Sequence, residues 1–180
     1  QVVDAVSVVK SFQSEVWVQH VDPIEYGAHT GWVLPEALVA AGIRGTFLNH
    51  SEHKLSFEIL KLTVERCRAL ELKTLVFASN LEELKEILKL TPTYASYEPV
   101  ELVGSVTTSV AEAKPEIIAL ASEISNEASI PLIVGAGIHS KKDVSVSISL
   151  GATGIAVATN IVKALDPKTA LMDLAEGFGG

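Results

Sequence analysis

Short apolar runs alternate along this chain with longer stretches in which apolar residues recur every three to four positions. The runs predict strands at residues 16–19, 45–48, 74–77, 94–97, 132–134 and 154–157. Several are continuously apolar, as expected of parallel strands covered on both faces. The intervening stretches predict helices with recognisable ends. Pro35 opens a short helix and Gly42 closes it. Residues 56–70 carry Leu60, Val64 and Cys67 on one stripe. Asn80 followed by Glu83 reads as an N-cap with a reciprocal carboxylate. Pro115 starts a helix expected to bury Ile117, Leu120 and Ile124. Ser140 and Asp143 cap another, which Gly151 ends, and Asp166-Pro167 begins the last, with Leu171 and Leu174 inward. Residues 1–12 are ambiguous: their spacing allows a helix, while their valines lower helical propensity.

Six β-then-α units in succession predict an α/β protein with a parallel sheet, one domain over residues 1–180. Periodicity alone does not separate a doubly wound sheet from a β/α barrel. Hydrophobic residues form 48% of the chain and charged residues 20%, a globular balance. The formal net charge of −8 and the lack of a basic cluster argue against nucleic-acid binding. No apolar run reaches the length of a membrane span and no signal peptide is evident, so no membrane association is expected. The single Cys67 cannot form an internal disulfide, which suits a cytoplasmic location.

Three groups of residues carry candidate chemistry. Leu48-Asn49-His50-Ser51-Glu52 follows a predicted strand and precedes a helix, where active sites of parallel β/α folds form. A nearby helix N-terminus would keep His50 neutral. A loop histidine also serves simply to cap or bond a turn. Tyr97-Glu98-Pro99 puts a carboxylate at a strand end beside a stiff proline, a position suited to a general base; standing alone, it reads more readily as a solvated loop glutamate. The stretch 100–113 is long enough for a lid. Finally, Gly135-Ala136-Gly137 and Ala158-Thr159-Asn160 follow successive strands and could present backbone N–H groups to a phosphate. His20 and His29 flank an Asp-Pro-Ile-Glu turn without the third ligand a metal would need, His53 and His139 read as helix-start polar residues, and no metal is expected.

Taken together, QHVDPIEYGAHTG, LNHSE, YEPVELVG, AKPE, VGAGI and ATNIVKALDP resemble the archaeal-type triosephosphate isomerase family, in order and spacing, over nearly the whole chain. The resemblance implies a (β/α)8 barrel that interconverts dihydroxyacetone phosphate and glyceraldehyde 3-phosphate without a cofactor. It implies Glu98 as the base, His50 as the neutral electrophile and Glu52 as the carboxylate beside them, with Asn49 and Ser51 completing the motif. Gly104 would lie in a closing loop, and Gly137, Ala158 and Thr159 would cradle the phosphate. Thr30 would reach a partner subunit's site in a homodimer or homotetramer. The six predicted strands match the family's third to eighth, so the sequence begins downstream of its first β-α-β and of the Asn-x-Lys on the first strand. An isomerase impaired by that lysine's absence, folding by association, is therefore the alternative expectation. A more distant one is another phosphate-binding barrel, such as an indole- or histidine-pathway enzyme. Two further departures stand out: Ser105-Val106 where the family has Thr-Gly, and Asn160 where archaeal relatives tend to have glycine.

Overall fold

The computed structural model describes residues 1–99 and 115–179. Their contacts gather into two compact units, Gln1–Phe77 with Leu90–Thr93, and Ala78–Lys89 with Tyr94–Gly180.

The first unit contains α1 (Val2–Ser11), β1 (Trp17–Val18), α2 (Pro35–Ala40), β2 (Gly45–Leu48), α3 (Phe57–Ala69) and β3 (Lys73–Ala78), whose last residue falls in the second unit. The strands pair in parallel in chain order, with Trp17 opposite Gly45 and Gly45 opposite Lys73. Gly45 is required at that point: a Cβ there would lie 2.3 Å from the Trp17 ring. The residues predicted to form the α3 stripe, Leu60, Val64 and Cys67, are all buried. Ser56 starts that helix by accepting the Ile59 N–H at 3.3 Å. Pro35 opens α2, and Gly42 follows it with φ +86, a left-handed angle that glycine adopts without strain. The ambiguous N-terminal segment is helical. It buries only Ala5 and leaves Val3, Val6 and Phe12 exposed, so docking rather than a wide apolar stripe holds it.

The second unit contains α4 (Leu81–Leu88), β4 (Tyr94–Tyr97), α5 (Pro115–Glu127), β5 (Leu132–Val134), α6 (Lys141–Ser149), β6 (Gly154–Ile155), α7 (Thr159–Val162) and α8 (Pro167–Glu176). Here β4 pairs with β5 and β5 with β6, again in parallel. Asn80 caps α4 by accepting the Glu83 N–H at 2.9 Å, while Glu83 Oε2 accepts the N–H of Ser79 at 2.7 Å. Ser140 and Asp143 form the full capping box expected of α6.

Two helices present a different face from the one expected. On α5 the buried positions are Ile118, Ala121, Ser122 and Ser125, whereas Leu120 is exposed and Ile117 and Ile124 are half-buried. The reason is close approach. Ser122 donates its hydroxyl to the Gly151 carbonyl at 2.8 Å, and a Cβ on Gly151 would come within 2.3 Å of that hydroxyl. Small residues permit this spacing, and it pushes the larger ones to the flanks. On α8, Leu174 is buried but Leu171 is exposed, so this helix touches its unit along a narrow line. Among the described residues no helix is long and apolar enough to cross a membrane.

Candidate active site

In the first unit the LNHSE segment leaves the carboxyl end of β2. Asn49 adopts φ +61 and is 3% exposed. Asparagine tolerates that left-handed angle better than most residues because its short amide can bond locally. Its Nδ2 donates to the Phe77 carbonyl at 2.9 Å, and its Oδ1 accepts the Leu55 N–H at 3.1 Å. Both bonds reach main chain, so Asn49 fixes the loop against the end of β3.

His50 comes next, with its ring edge-on to Phe77, centroids 5.0 Å apart and planes 82° apart. Phe77 meets Phe47 in turn at 5.4 Å, and Phe47 meets Trp17 at 6.3 Å. The imidazole thus rests on the end of a row of aromatic rings. Its Nδ1 accepts the Glu52 N–H at 3.3 Å and lies 3.5 Å from the Glu52 carboxylate. The two contacts ask for opposite states of Nδ1. The amide can only donate, and the carboxylate is 85% exposed to solvent. With Nδ1 as the acceptor of that amide, a neutral ring has its proton on Nε2. The donor belongs to a turn, closed by His53 N–H to the His50 carbonyl at 2.9 Å. That turn lies upstream of α3, which starts at Phe57 after its Ser56 cap, where the sequence predicts it.

Residues 22–33 form a loop of the same unit. Asp22 closes it twice, its N–H donating to the Val33 carbonyl at 3.1 Å and its Oδ2 accepting the Val33 N–H at 2.7 Å. His20 braces Asp22 at 3.0 Å and stacks on His53, centroids 4.4 Å apart. From α3, Arg66 bonds the Ile24 carbonyl at 3.3 Å and pairs with Glu36. Thr30, Tyr26 and Trp32 are exposed on this braced loop.

In the second unit Glu98 follows β4, its N–H donating to the Ala78 carbonyl at 2.9 Å. It is 7% exposed, which overturns the solvated-loop reading. Its carboxylate lies against Gly135: a Cβ on that glycine would fall 1.7 Å from Oε1. Gly135 leads into Ala136 and Gly137, with φ of +67 and +70. Beyond β6, Ala158 and Thr159 are exposed and Asn160 is half-buried. Among the described residues no three His, Cys, Asp or Glu side chains are grouped to hold a metal.

The model of a protein family described as triosephosphate isomerase matches residues 1–176. The chain belongs to the triosephosphate isomerase family. Among curated relatives, the triosephosphate isomerase of Thermoplasma volcanium is 40% identical over 160 residues, 89% of this chain and 75% of that one. The enzyme of the same name from Methanocaldococcus jannaschii is 34% identical over 178 residues, 97% of this chain and 80% of that one. That from Methanoculleus marisnigri is 40% identical over 161 residues, 88% and 72% of the two chains. Membership assigns the parallel β/α units of both halves to the β/α barrel class and the chain to a family of isomerases.

Within that family frame, the structure brings Asn49, His50 and Glu52 together, with Ser51 in the same turn. It sets Glu98 beside the loop of Gly137. Gly104, with Ser105 and Val106, lies outside the described residues. The sequence reading passed over Phe77 as a support for His50. Its only signal was an aromatic at the end of a strand, which ordinary core packing also produces.

Proposed function

We propose that this chain catalyses the triosephosphate isomerase reaction of its family, interconverting dihydroxyacetone phosphate and glyceraldehyde 3-phosphate. In this reading Glu98 removes a proton from the carbon next to the carbonyl. The electron pair of that C–H bond forms the C=C bond of an enediolate, and the carbonyl oxygen takes up negative charge. His50 meets that oxygen with Nε2–H as a neutral donor, passes it the ring proton and takes the proton of the adjacent hydroxyl. That hydroxyl's oxygen becomes the new carbonyl as the C=C pair takes the proton Glu98 returns to the neighbouring carbon. Triosephosphate isomerase is the reference case for this pairing of a glutamate base with a neutral imidazole.

The observation that carries the proposal is the Glu52 N–H aimed at His50 Nδ1 at 3.3 Å. It leaves the ring proton on Nε2, where an electrophile needs it. Glu52 and Ser51 are assigned to the surroundings of that histidine, Asn49 to holding it, and Gly104, Gly137, Ala158 and Thr159 to the phosphate. No cofactor or metal enters the scheme, because every step is a proton transfer between carbon, oxygen and side chains already in the chain.

The reading extends to assembly and location. The braced loop of residues 22–33 presents Thr30 with exposed Tyr26 and Trp32, large aromatics of the kind found at interface centres. We assign this loop to contact with a second copy in a homodimer or homotetramer, in the cytoplasm where triose phosphates are metabolised.

The test is a coupled isomerase assay. Glu98→Gln is expected to lower kcat by roughly 10³-fold and His50→Gln by roughly 10²-fold, with KM changed little. A Glu98→Gln protein that keeps wild-type kcat refutes the assignment of the base.

A further inference from the structure

We propose that Asn160 is a positioning residue for the substrate phosphate, tying the loop that carries Gly137 to the loop that carries Ala158 and Thr159. The inference rests on the isomerase reading above and adds a residue to it. Asn160 Nδ2 donates to the His139 carbonyl at 2.9 Å, across 21 residues of chain. The same stretch is gripped from its other side. The His139 N–H donates to Asp143 Oδ2 at 3.1 Å, and both the Ser140 N–H and its hydroxyl donate to that oxygen at 2.9 Å. Asp143 is 5% exposed and belongs to the first turn of α6. Residues 139 and 140 are therefore held from α6 by the capping carboxylate and from α7 by Asn160.

Just upstream, Ala136 and Gly137 take consecutive left-handed angles of +67 and +70. At Ala136, a residue with a side chain, that angle persists only where the surroundings over-determine it. A dianion bound by N–H groups from two separate loops needs both loops in register before it arrives, since any ordering left to the binding step is deducted from affinity. The Asn160 amide supplies that register. A glycine at this position has no side chain to make the bond. An aspartate has the same shape but cannot donate to a carbonyl, and it would repel the phosphate.

Isothermal titration of inorganic phosphate into wild type, Asn160→Gly and Asn160→Asp tests this, with dihydroxyacetone phosphate kinetics in parallel. Kd and KM are expected to rise about five- to tenfold for glycine and further for aspartate, with kcat within about twofold of wild type. A merely structural role would lower Tm and kcat together without singling out KM. The proposal is overturned if both variants bind phosphate as wild type does, or if kcat falls while KM stays unchanged. If wild type itself binds no phosphate, the cradle and the substrate assignment fail along with the proposal. If wild type binds phosphate and Asn160→Asp binds it equally, only the bridge fails.

Discussion

The Glu98 carboxylate occupies the space that a side chain on Gly135 would need, with Oε1 only 1.7 Å from where that Cβ would stand. Glycine at 135 is thus set by the catalytic candidate beside it and not by backbone angle, since its φ is not among the left-handed ones. Gly135→Ala should push the carboxylate aside. A misplacement of about 1 Å costs on the order of 10²-fold in rate, so kcat is expected to fall by at least that factor while circular dichroism stays native. Near wild-type turnover in that variant would contradict the proposed role of Glu98.

The next residue of the same loop gives the opposite expectation. Ala136 sits at φ +67, where an L-residue pays about 1–2 kcal/mol. Ala136→Gly removes that strain but adds about 0.5–1 kcal/mol of unfolded-chain entropy. Thermal denaturation should register a small net gain, about 0.5 kcal/mol. A clear loss of stability would mean that the buried methyl group packs more tightly than its strain costs.

Asn49 separates backbone angle from hydrogen bonding. Both Asn49→Ala and Asn49→Gly lose the buried bond to the Phe77 carbonyl, at about 1–3 kcal/mol, and the part-buried bond from the Leu55 N–H. Only the alanine also pays for φ +61. Urea denaturation should rank wild type above glycine and glycine above alanine, the last two differing by about 1 kcal/mol. Equal stability of the two variants would remove the backbone part of the argument.

His50 has a spectroscopic signature. With Nδ1 accepting from Glu52, nitrogen NMR of the labelled ring should report the Nε2–H tautomer at neutral pH. Phe77→Leu removes the ring edge on which the imidazole rests, at 5.0 Å, and should broaden or shift the His50 signals while leaving most others in place. Detection of the Nδ1–H tautomer would remove the support for His50 as electrophile.

Cys67 gives a pH prediction. It is fully buried on α3, and burial pushes its thiol from 9.0 up to about 12, only partly countered by the nearby Arg66 charge. The unfolded chain loses this proton near pH 9 while the folded chain keeps it until about 12, so the unfolded state binds fewer protons in that window. Its contribution to stability is complete below pH 9 and is lost as pH rises through the window. Cys67→Ala should flatten the alkaline fall in stability. In the native wild type an aromatic disulfide reagent at pH 8 should react only as fast as the protein opens. Rapid modification of the folded protein would contradict the burial.

Much of the architecture was legible without coordinates. Strand positions followed from short apolar runs, because a parallel strand covered on both faces has no other composition to offer. Helix starts followed from Asn80, Ser140 and Asp166, since the orphan N–H groups of a first turn need a local acceptor. The identity of the family was written in LNHSE and YEPVELVG, where chemistry constrains the residues themselves.

Other features depended on distances that no local pattern encodes. Which stripe of α5 faces inward was decided by the contact of Ser122 with Gly151, 29 residues away, a spacing only small residues allow. The same holds at the candidate site. Sequence supplied His50 and Glu98 as residue types at strand ends, and it could not separate a working histidine from a turn histidine or a buried glutamate from a solvated one. Folding decided the burial of Glu98, against the bare backbone of Gly135, and set His50 on the Glu52 amide and the Phe77 ring edge. A proton's location and a carboxylate's exposure depend on neighbours brought together by folding, not on neighbours in the chain.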